Sequence, residues 1–252
     1  MIPYLRRLAG KERFEKSDRH LARFLTFVAG AANAGGFLAV HQYTSHMSGI
    51  VSSMADNLML GDIDLVLAGF AAFMSFVAGA ACSAVLVNWG RRMNLQSEYA
   101  LPLVFEAVLL ICFGLLGSNL GRHQWVFVPA TVMLLCFVMG LQNAIITKLS
   151  GARIRTTHVT GLVTDMGIEL GKLFYWNASR HDPGKAFVRA DRRKLKLLAS
   201  LVALFFSGGV AGAIGFKQLG FAASLILAAI LLTLAIVPVL DDLKVRLRRA
   251  WQ

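Results

Sequence analysis

The segment Thr44–Leu58, "TSHMSGIVSSMADNL", is too polar for the apolar sequence around it, and it occurs twice. Its second copy is Thr156–Leu170, "TTHVTGLVTDMGIEL", which aligns without gaps and keeps Thr, His, Gly, Val, Met and Leu. Recurrence of a segment of this length indicates an internal duplication. The two copies therefore predict a chain made of two related halves.

The similarity extends to the sequence on both sides of the polar segments. "FVAGAANA" at Phe27–Ala34 parallels "FVMGLQNA" at Phe137–Ala144, and "VAGA" occurs at Val77–Ala80 and at Val210–Ala213. Each half thus contains an apolar stretch with Gly-x-x-Asn-Ala, a polar segment, an apolar stretch with VAGA and a final apolar stretch. Such duplication is common among transporters, where the substrate lies between the repeats.

The composition predicts an all-α membrane protein. Of the 252 residues, 56% are hydrophobic and only 16% are charged, which is too little charge for a soluble domain of this size. The apolar residues form six blocks of about the length that crosses a bilayer as a helix: Leu21–Val40, Leu65–Val87, Leu101–Gly117, Trp125–Ile146, Leu195–Gly215 and Phe221–Leu240. We expect about six transmembrane helices and two short polar helical segments.

These blocks and the repeat give the expected organisation of the chain. The parts are a basic N-terminal segment, 1–20, a first membrane repeat, 21–120, a second membrane repeat, 125–240, with a basic loop at 172–196, and a basic tail, 241–252.

The net charge of +12 lies beside the membrane blocks, which argues against a nucleic-acid partner. Lys and Arg cluster in Arg6–Arg23, Lys172–Lys196 and Lys244–Arg249, all flanking apolar sequence. Cytoplasmic flanks of membrane helices carry such an excess of positive charge. We therefore expect a membrane protein with both termini and the basic loop in the cytoplasm.

The number of crossings depends on the two polar segments. If neither crosses the membrane, six helices leave only Arg122 and Lys217 outside, and the halves are inverted relative to each other. If both cross, eight helices result, the halves are parallel, and more Lys and Arg lie on the outer face. The charge distribution favours six crossings, although the connector Gly61–Asp64 is short for a segment that returns to the same face.

The polar segments and the apolar stretches before them supply the candidate binding residues. Hydroxyl groups recur at helical spacing in both segments and can bind a polar solute, although the same rows also favour close packing of membrane helices. The glycine near each helix start suggests free N–H groups for an anion, and the preceding Ser or Thr could instead cap the helix. The candidates are Asn33, Thr44, His46, Ser48, Gly49, Gln142, Asn143, Thr157, His158, Thr160 and Gly161.

Three carboxylates are candidates for proton coupling. Glu106 interrupts the apolar sequence "LVFEAVLL", and an ionisable group inside a membrane predicts a function. Asp165 and Glu169 lie in the second polar segment, where the first has Ser53 and Asn57. Such differences between the halves suit one site with distinct groups from each.

No motif predicts catalysis or a cofactor. The sequence contains no phosphate-binding loop, nucleophile elbow, CxxC pair or HExxH. We expect no enzyme activity, no cofactor and no metal site.

The segment Phe137–Gly167, "FVMGLQNAIITKLSGARIRTTHVTGLVTDMG", resembles the hallmark of the YoaK family of bacterial integral membrane proteins, through its GLQNA and TTHVTG elements. Glu106 in an apolar stretch is also similar to the family pattern. The chain departs from that pattern at Asn33, where many members carry Asp, and at Ile50, where many carry Asn. The resemblance implies an inner-membrane protein of about six helices and no particular substrate.

Two functions fit these observations. The first is a transporter or channel for a small polar solute of unknown identity, with its site between the repeats. The second is a scaffold or modulator that docks other proteins through the basic loop. The lipid bilayer is an expected partner in either case, and a homo-oligomer is left open.

Overall fold

The computed structural model describes residues 2–11, 14–117, 124–150, 156–175 and 187–250, and all the regular structure in these ranges is helical. A short 3-10 turn, Gly220–Ala222, separates the last two helices. The helices are α1 (Ile2–Ala9), α2 (Glu15–Val40), α3 (Met47–Leu60), α4 (Ile63–Arg92), α5 (Ala100–Gly117), α6 (Gln124–Leu149), α7 (Val159–Phe174), α8 (Arg192–Leu219) and α9 (Ala223–Ala250).

The all-helical class and the apolar character are confirmed. Five of the six predicted apolar blocks lie within α2, α4, α5, α6 and α8, and the sixth, Phe221–Leu240, begins in the 3-10 turn and continues in α9. By length and composition, four stretches could cross a membrane: Glu15–Val40, Ile63–Arg92, Phe127–Leu149 and Arg192–Arg248. The last of these contains both α8 and α9, and α5 contributes a shorter apolar helix, Ala100–Leu115. Several apolar helices therefore indicate a multi-pass membrane protein.

Contacts near the chain termini define one end of the bundle, here called the basal end. Lys11, just before α2, donates to Asn94, just after α4, at 3.2 Å. Ser97, before α5, donates from its backbone N–H to Asp242 near the end of α9 at 2.9 Å. The start of α2, the end of α4, the start of α5 and the end of α9 therefore meet here.

A cleft at the basal end adds α6 and α8 to the same group. Its lining includes Glu15 at the start of α2, Ser150 just after α6, and Asp191, the N-cap of α8. The six long helices therefore alternate in direction along the chain. The turns after α3 and α8, at Gly61 and Gly220, lie at the opposite, apical end.

Close packing joins the two halves through glycine. A Cβ atom added to Gly30 on α2 would lie 2.1 Å from the backbone oxygen of Phe205 on α8, and one on Gly208 would lie 2.1 Å from that of Phe27. Helices α4 and α6 make the same contact, because Cβ atoms on two of their glycines would lie 2.0 Å from backbone oxygens of the other helix. The pairs are Gly79 against Phe137 and Gly140 against Phe76. Backbones this close exclude any side chain at these positions.

These contacts correct one detail of the sequence alignment. The VAGA motif pairs Gly79 with Gly212, but Gly79 packs against Phe137 as Gly208 packs against Phe27. The glycine whose contact resembles that of Gly79 is therefore Gly208, one helical turn before Gly212. Gly212 packs against Ala31 instead.

The flanking basic segments are partly described. Helix α1 buries Leu8 and Ala9, and Arg6 forms an ion pair with Asp241 at 2.5 Å, so this part of the N-terminal segment packs on the bundle. Of the predicted basic loop 172–196, residues 176–186 lie outside the described residues. The tail is helical as far as Ala250.

Candidate functional site

The two polar segments form α3 and α7, and both helices begin at one cavity of about 1010 Å³, here called the central cavity. Asn33 lies in the apical half of α2, and Asn143 lies in the basal half of α6. Because both residues line the central cavity, the cavity lies near the middle of the bundle. Its polar lining residues from the first half are Asn33, Ser45, His46 and Ser48, and those from the second half are Asn143, Thr147, Thr157, His158 and Thr160.

The central cavity is open to its surroundings. His46, Ser48, His158 and Thr160 are exposed. Exposed polar groups and helix starts at membrane depth are tolerated only against protein or a water-filled space. The geometry therefore fits a cavity filled with water.

Asn143 fixes the start of α7. Its Nδ2 donates to the backbone oxygen of Met139 at 3.0 Å and to Oγ1 of Thr157 at 2.5 Å. Its Oδ1 accepts from the hydroxyl of Thr156 and from the backbone N–H of Thr157, both at 3.3 Å. One amide thus satisfies the polar groups that lead into the helix.

Asn33 has the same place in the first half with fewer partners. Its Oδ1 accepts from Oγ of Ser45 at 2.9 Å, and Ser45 aligns with Thr157 in the repeat. Among the described residues, none accepts a hydrogen bond from its Nδ2. The two asparagines predicted from the sequence therefore lie in equivalent places but are not equally satisfied.

A histidine precedes each polar helix and packs on its first turn. His46 and His158 are the N-cap residues of α3 and α7, and neither side chain forms a capping hydrogen bond. A Cβ atom on Gly49 would lie 2.3 Å from Cδ2 of His46, and one on Gly161 would lie 2.2 Å from Nδ1 of His158. The spacing His-x-x-Gly is thus explained by an imidazole ring that rests where a side chain would otherwise be.

Seven of the eleven predicted binding residues line the central cavity: Asn33, His46, Ser48, Asn143, Thr157, His158 and Thr160. Gly161 lies behind the ring of His158, and Gly49 lines a separate cleft at the apical end. Thr44 and Gln142 are buried, and their polar side-chain atoms have no hydrogen-bond partner among the described residues.

The sequence prediction missed lining residues. Ser45 could have been found because it aligns with the predicted Thr157, and Thr147 because it lies one turn after Asn143 on the same helix face. The aromatic lining residues Tyr43, Phe76 and Phe205 have no distinguishing signal in the sequence.

The predicted proton-coupling residue Glu106 lies in α5 and is completely buried. Neither of its carboxylate oxygens has a hydrogen-bond partner among the described residues. Burial without a partner is costly for a charged carboxylate. Glu106 is absent from the described lining of the central cavity.

Asp165 and Glu169 lie at the basal end of α7, away from the central cavity. Glu169 accepts from the backbone N–H of Asp191 at 2.8 Å and from Nζ of Lys172 at 3.0 Å. These donors, the N–H of Asp191 first, lower the pKa of Glu169. Asp165 pairs with Lys194 at 3.3 Å, so both carboxylates connect α7 to the start of α8.

Two clefts of similar size flank the bundle at its two ends. The apical cleft, about 790 Å³, includes Ser53 and Asn57 and shares Tyr43 and His46 with the central cavity. The basal cleft, about 720 Å³, is charged and includes Asp165 and other ionisable side chains. Those are Glu15, Asp18, Arg19, Asp191 and Lys194.

Among the described residues, no group of three or more His, Cys, Asp or Glu side chains could hold a metal ion. The three cysteines, Cys82, Cys112 and Cys136, form no disulfide. The donor chemistry of the central cavity is therefore that of amides, hydroxyls, imidazoles and helix starts.

The fold and the cavity define a helical multi-pass membrane protein with a polar centre. The chain belongs to the family described as "Protein of unknown function (DUF1275)", whose model matches residues 21–237 and which includes the YoaK family. The resemblance found in the sequence is thereby confirmed. No curated protein and no solved structure matches the chain.

Proposed function

We propose that this protein is a bacterial inner-membrane transporter or channel, and that a small polar solute binds in its central cavity. The observation that carries the proposal is the meeting of matching polar residues from both halves in one cavity. A solute-binding site between repeats, at helices that start in mid-membrane, is the arrangement of many transporters. The proposal assigns no catalytic step to this cavity.

The internal repeat is inverted in this proposal. Helices α5 and α9 hold the same place in their halves and run antiparallel, since Ser97 contacts Asp242 at one end and Gly117 lies beside Phe221 at the other. The equivalent glycine contacts of α2 with α8 and of α4 with α6 support the same symmetry. Inverted halves turn the two polar helices in opposite directions from the central cavity.

The proposed topology has six crossings, by α2, α4, α5, α6, α8 and α9. The polar helices then do not cross the membrane. Helix α3 runs from the central cavity to the apical end, and α7 runs from the cavity to the basal end. Lys and Arg are concentrated at the basal end, which supports a cytoplasmic location for both termini. Lys217, near the end of α8, lies at the apical end.

A labelling experiment tests this topology. Single cysteines replace Met93, which is exposed between α4 and α5, or Lys217, in a background without native cysteines. We expect an impermeant thiol reagent to label Lys217→Cys in intact cells and Met93→Cys only after permeabilisation. Labelling of Met93→Cys from outside would contradict six crossings.

Glu106 is the strongest candidate for proton coupling. It is buried without a partner among the described residues, whereas Asp165 and Glu169 each pair with lysine. A pH gradient should therefore drive uptake in wild-type protein and not in Glu106→Gln. Equal gradient-driven uptake by the two proteins would remove this role.

Reconstitution in liposomes tests the transport proposal. Solute entry is followed by light scattering for a panel of neutral and charged solutes. Ala80 lines the central cavity, and Ala78, two residues away on α4, is exposed outside it. We expect Ala80→Trp to block the flux and Ala78→Trp to preserve it.

Two results would contradict the transport proposal. One is wild-type protein that moves no solute or proton across the whole panel, which would favour docking through the basic loop. The other is a flux that Ala80→Trp leaves unchanged.

A further inference from the structure

We infer that the ligand of the central cavity is a small monovalent anion, bound by Nδ2 of Asn33 and by the N–H groups that open α3 and α7. This inference rests on the proposed function, because it names the class of solute for the same cavity. Its support comes from one unsatisfied amide, two helix starts and the charge of the lining.

The amide of Asn33 has a donor available. Asn33 is only 8% exposed and lines the central cavity. Ser45 occupies its Oδ1, and no described residue accepts a hydrogen bond from its Nδ2. The equivalent Nδ2 of Asn143 already has two acceptors. Nδ2 of Asn33 is not among the buried polar atoms that lack a partner, so this N–H keeps accessible surface at the cavity. A ligand that accepts hydrogen bonds can therefore reach it.

Two helices begin at the same cavity and run away from it in opposite directions. Each helix start carries the equivalent of about half a positive charge. The residues of the first turns, Met47 and Ser48 on α3 and Val159 and Thr160 on α7, line the cavity. Neither histidine N-cap forms a side-chain capping bond. The N–H of Val159 already donates to the backbone oxygen of Thr157 at 2.9 Å, so the N–H groups assigned to the ligand are those of Met47 and Ser48 on α3 and that of Thr160 on α7.

The charge of the lining excludes a cation-binding arrangement of the usual kind. The described lining residues include no Asp or Glu, and a cation site in a membrane protein normally uses carboxylates or converging carbonyl oxygens. Helix starts present N–H groups and no free carbonyl oxygens. A small anion with several acceptor atoms, for which nitrate is a suitable probe, matches donors converging from two sides.

A swelling assay in proteoliposomes that are permeable to potassium separates this inference from the proposed function. Proteoliposomes carrying valinomycin as the potassium path are exposed to potassium nitrate, and swelling then reports nitrate entry. Glycerol and urea serve as neutral probes, and potassium gluconate serves as a bulky anion. We expect swelling with nitrate above that of protein-free liposomes and none with gluconate.

The outcomes differ for the two ideas. Entry of glycerol or urea without nitrate would overturn the anion inference and leave the transport proposal standing. Entry of no probe would contradict both. Entry of nitrate together with both neutral solutes at similar rates would overturn the selectivity for anions.

Asn33→Asp tests the binding residue directly. The new carboxylate still accepts from Ser45 but loses the donor and adds a negative charge, so nitrate flux should fall about tenfold or more. The matched control is Asn88→Asp. Asn88 is exposed on α4 and accepts a hydrogen bond from Lys148 of α6, so this variant should keep wild-type flux. Equal flux in Asn33→Asp and wild type would overturn the assignment of this site.

A second measurement does not depend on the folding of the Asn33 variant. Ser48→Cys, without native cysteines, is labelled by a thiol reagent in the presence of nitrate or of gluconate at equal ionic strength. Nitrate should slow labelling of Ser48→Cys and leave that of Ser52→Cys, exposed one turn further along α3, unchanged. Identical rates in both salts would contradict binding at this site.

Discussion

Helices α3 and α7 begin in the same way and end in different ways. At their starts, an asparagine from the preceding helix holds the chain, a histidine precedes the first turn, and a glycine accepts the imidazole ring. At their ends, α3 turns through Gly61, which has a positive φ of 82°. Helix α7 instead ends beside the paired charges of Glu169, Lys172 and Lys194.

The helix starts are alike because both line the central cavity, and the helix ends differ because each lies at a different end of the bundle. Residue types are kept where both copies face the same central cavity. They diverge where one copy runs to the apical end, beside Asp62 and Asp64, and the other to the basal end, beside Lys172 and Lys194. Ser53 and Asn57 in α3 thus correspond to Asp165 and Glu169 in α7, whose carboxylates pair with nearby lysines.

Removal of the asparagines should give the largest effects on stability. Asn143→Leu removes four hydrogen bonds, whereas Asn33→Leu removes one. One of the four lies within α6, and the other three join α6 to Thr156 and Thr157. With about 0.6 kcal/mol for each bond between segments of a membrane protein, we expect losses of about 2 kcal/mol and about 0.6 kcal/mol. Thermal unfolding in detergent, followed by size exclusion, measures the order of the two variants. A larger loss for Asn33→Leu would contradict the unequal anchoring.

Alanine at the shared glycines should have a moderate effect. In Gly161→Ala the new Cβ displaces the ring of His158, which costs about 1 kcal/mol if the side chain leaves its preferred rotamer. Gly167, further along α7, has open space where a Cβ would be, with no neighbouring atom within 4 Å. Gly167→Ala should therefore raise stability by about 0.5–1 kcal/mol.

The comparison of these two variants uses the same thermal assay, with flux measured in parallel. Gly161→Ala should be the less stable variant and should also lose flux, since the imidazole moves toward the central cavity. Equal stability and equal flux in Gly161→Ala and Gly167→Ala would show that the histidine–glycine contact has no role.

The smallest effect should be the pH dependence at the basal end of α7. The N–H of Asp191 and the Lys172 ammonium lower the pKa of Glu169 below its usual 4.5. A depressed pKa adds stability that is present above pH 4.5 and is lost as the pH falls through the folded-state pKa.

Melting temperatures of wild type and Glu169→Gln, measured from pH 7 down to acid, test this assignment. The advantage of wild type should be constant above pH 4.5 and shrink below it. Asn57→Ala, at the equivalent place in α3, should show no such dependence. An advantage for wild type that grows on acidification would contradict the depressed pKa.

The sequence predicted seven of the nine polar lining residues that the structure describes in the central cavity, because these residues are repeated. Asn33, Asn143, His46 and His158 could be singled out since unusual polar types recur at matching positions in apolar surroundings. The long apolar helices were predictable from the six apolar blocks, whose length is about that of a membrane-crossing helix.

Other features were not predictable from one sequence. Gly208, and not Gly212, makes the contact that resembles that of Gly79. This choice depends on helix register, which a short motif of small residues does not determine. The ion pairs of Asp165 and Glu169 depend on the packing of α7 against the start of α8. The sequence alone therefore did not show that these carboxylates lie outside the central cavity. Thr44 and Gln142 were chosen for polarity, yet both are buried away from the described cavity lining.

The central claim is that solute passes through the cavity where α3 and α7 begin. The most direct test is modification of single cysteines in reconstituted protein without native cysteines, with solute flux as the readout. Labelling of Ser48→Cys or Thr160→Cys by a bulky thiol reagent should stop the flux. Labelling of Ser52→Cys or Thr164→Cys, one turn further along each helix, should leave it intact. Flux that continues after complete labelling at Ser48 and Thr160 would contradict the claim.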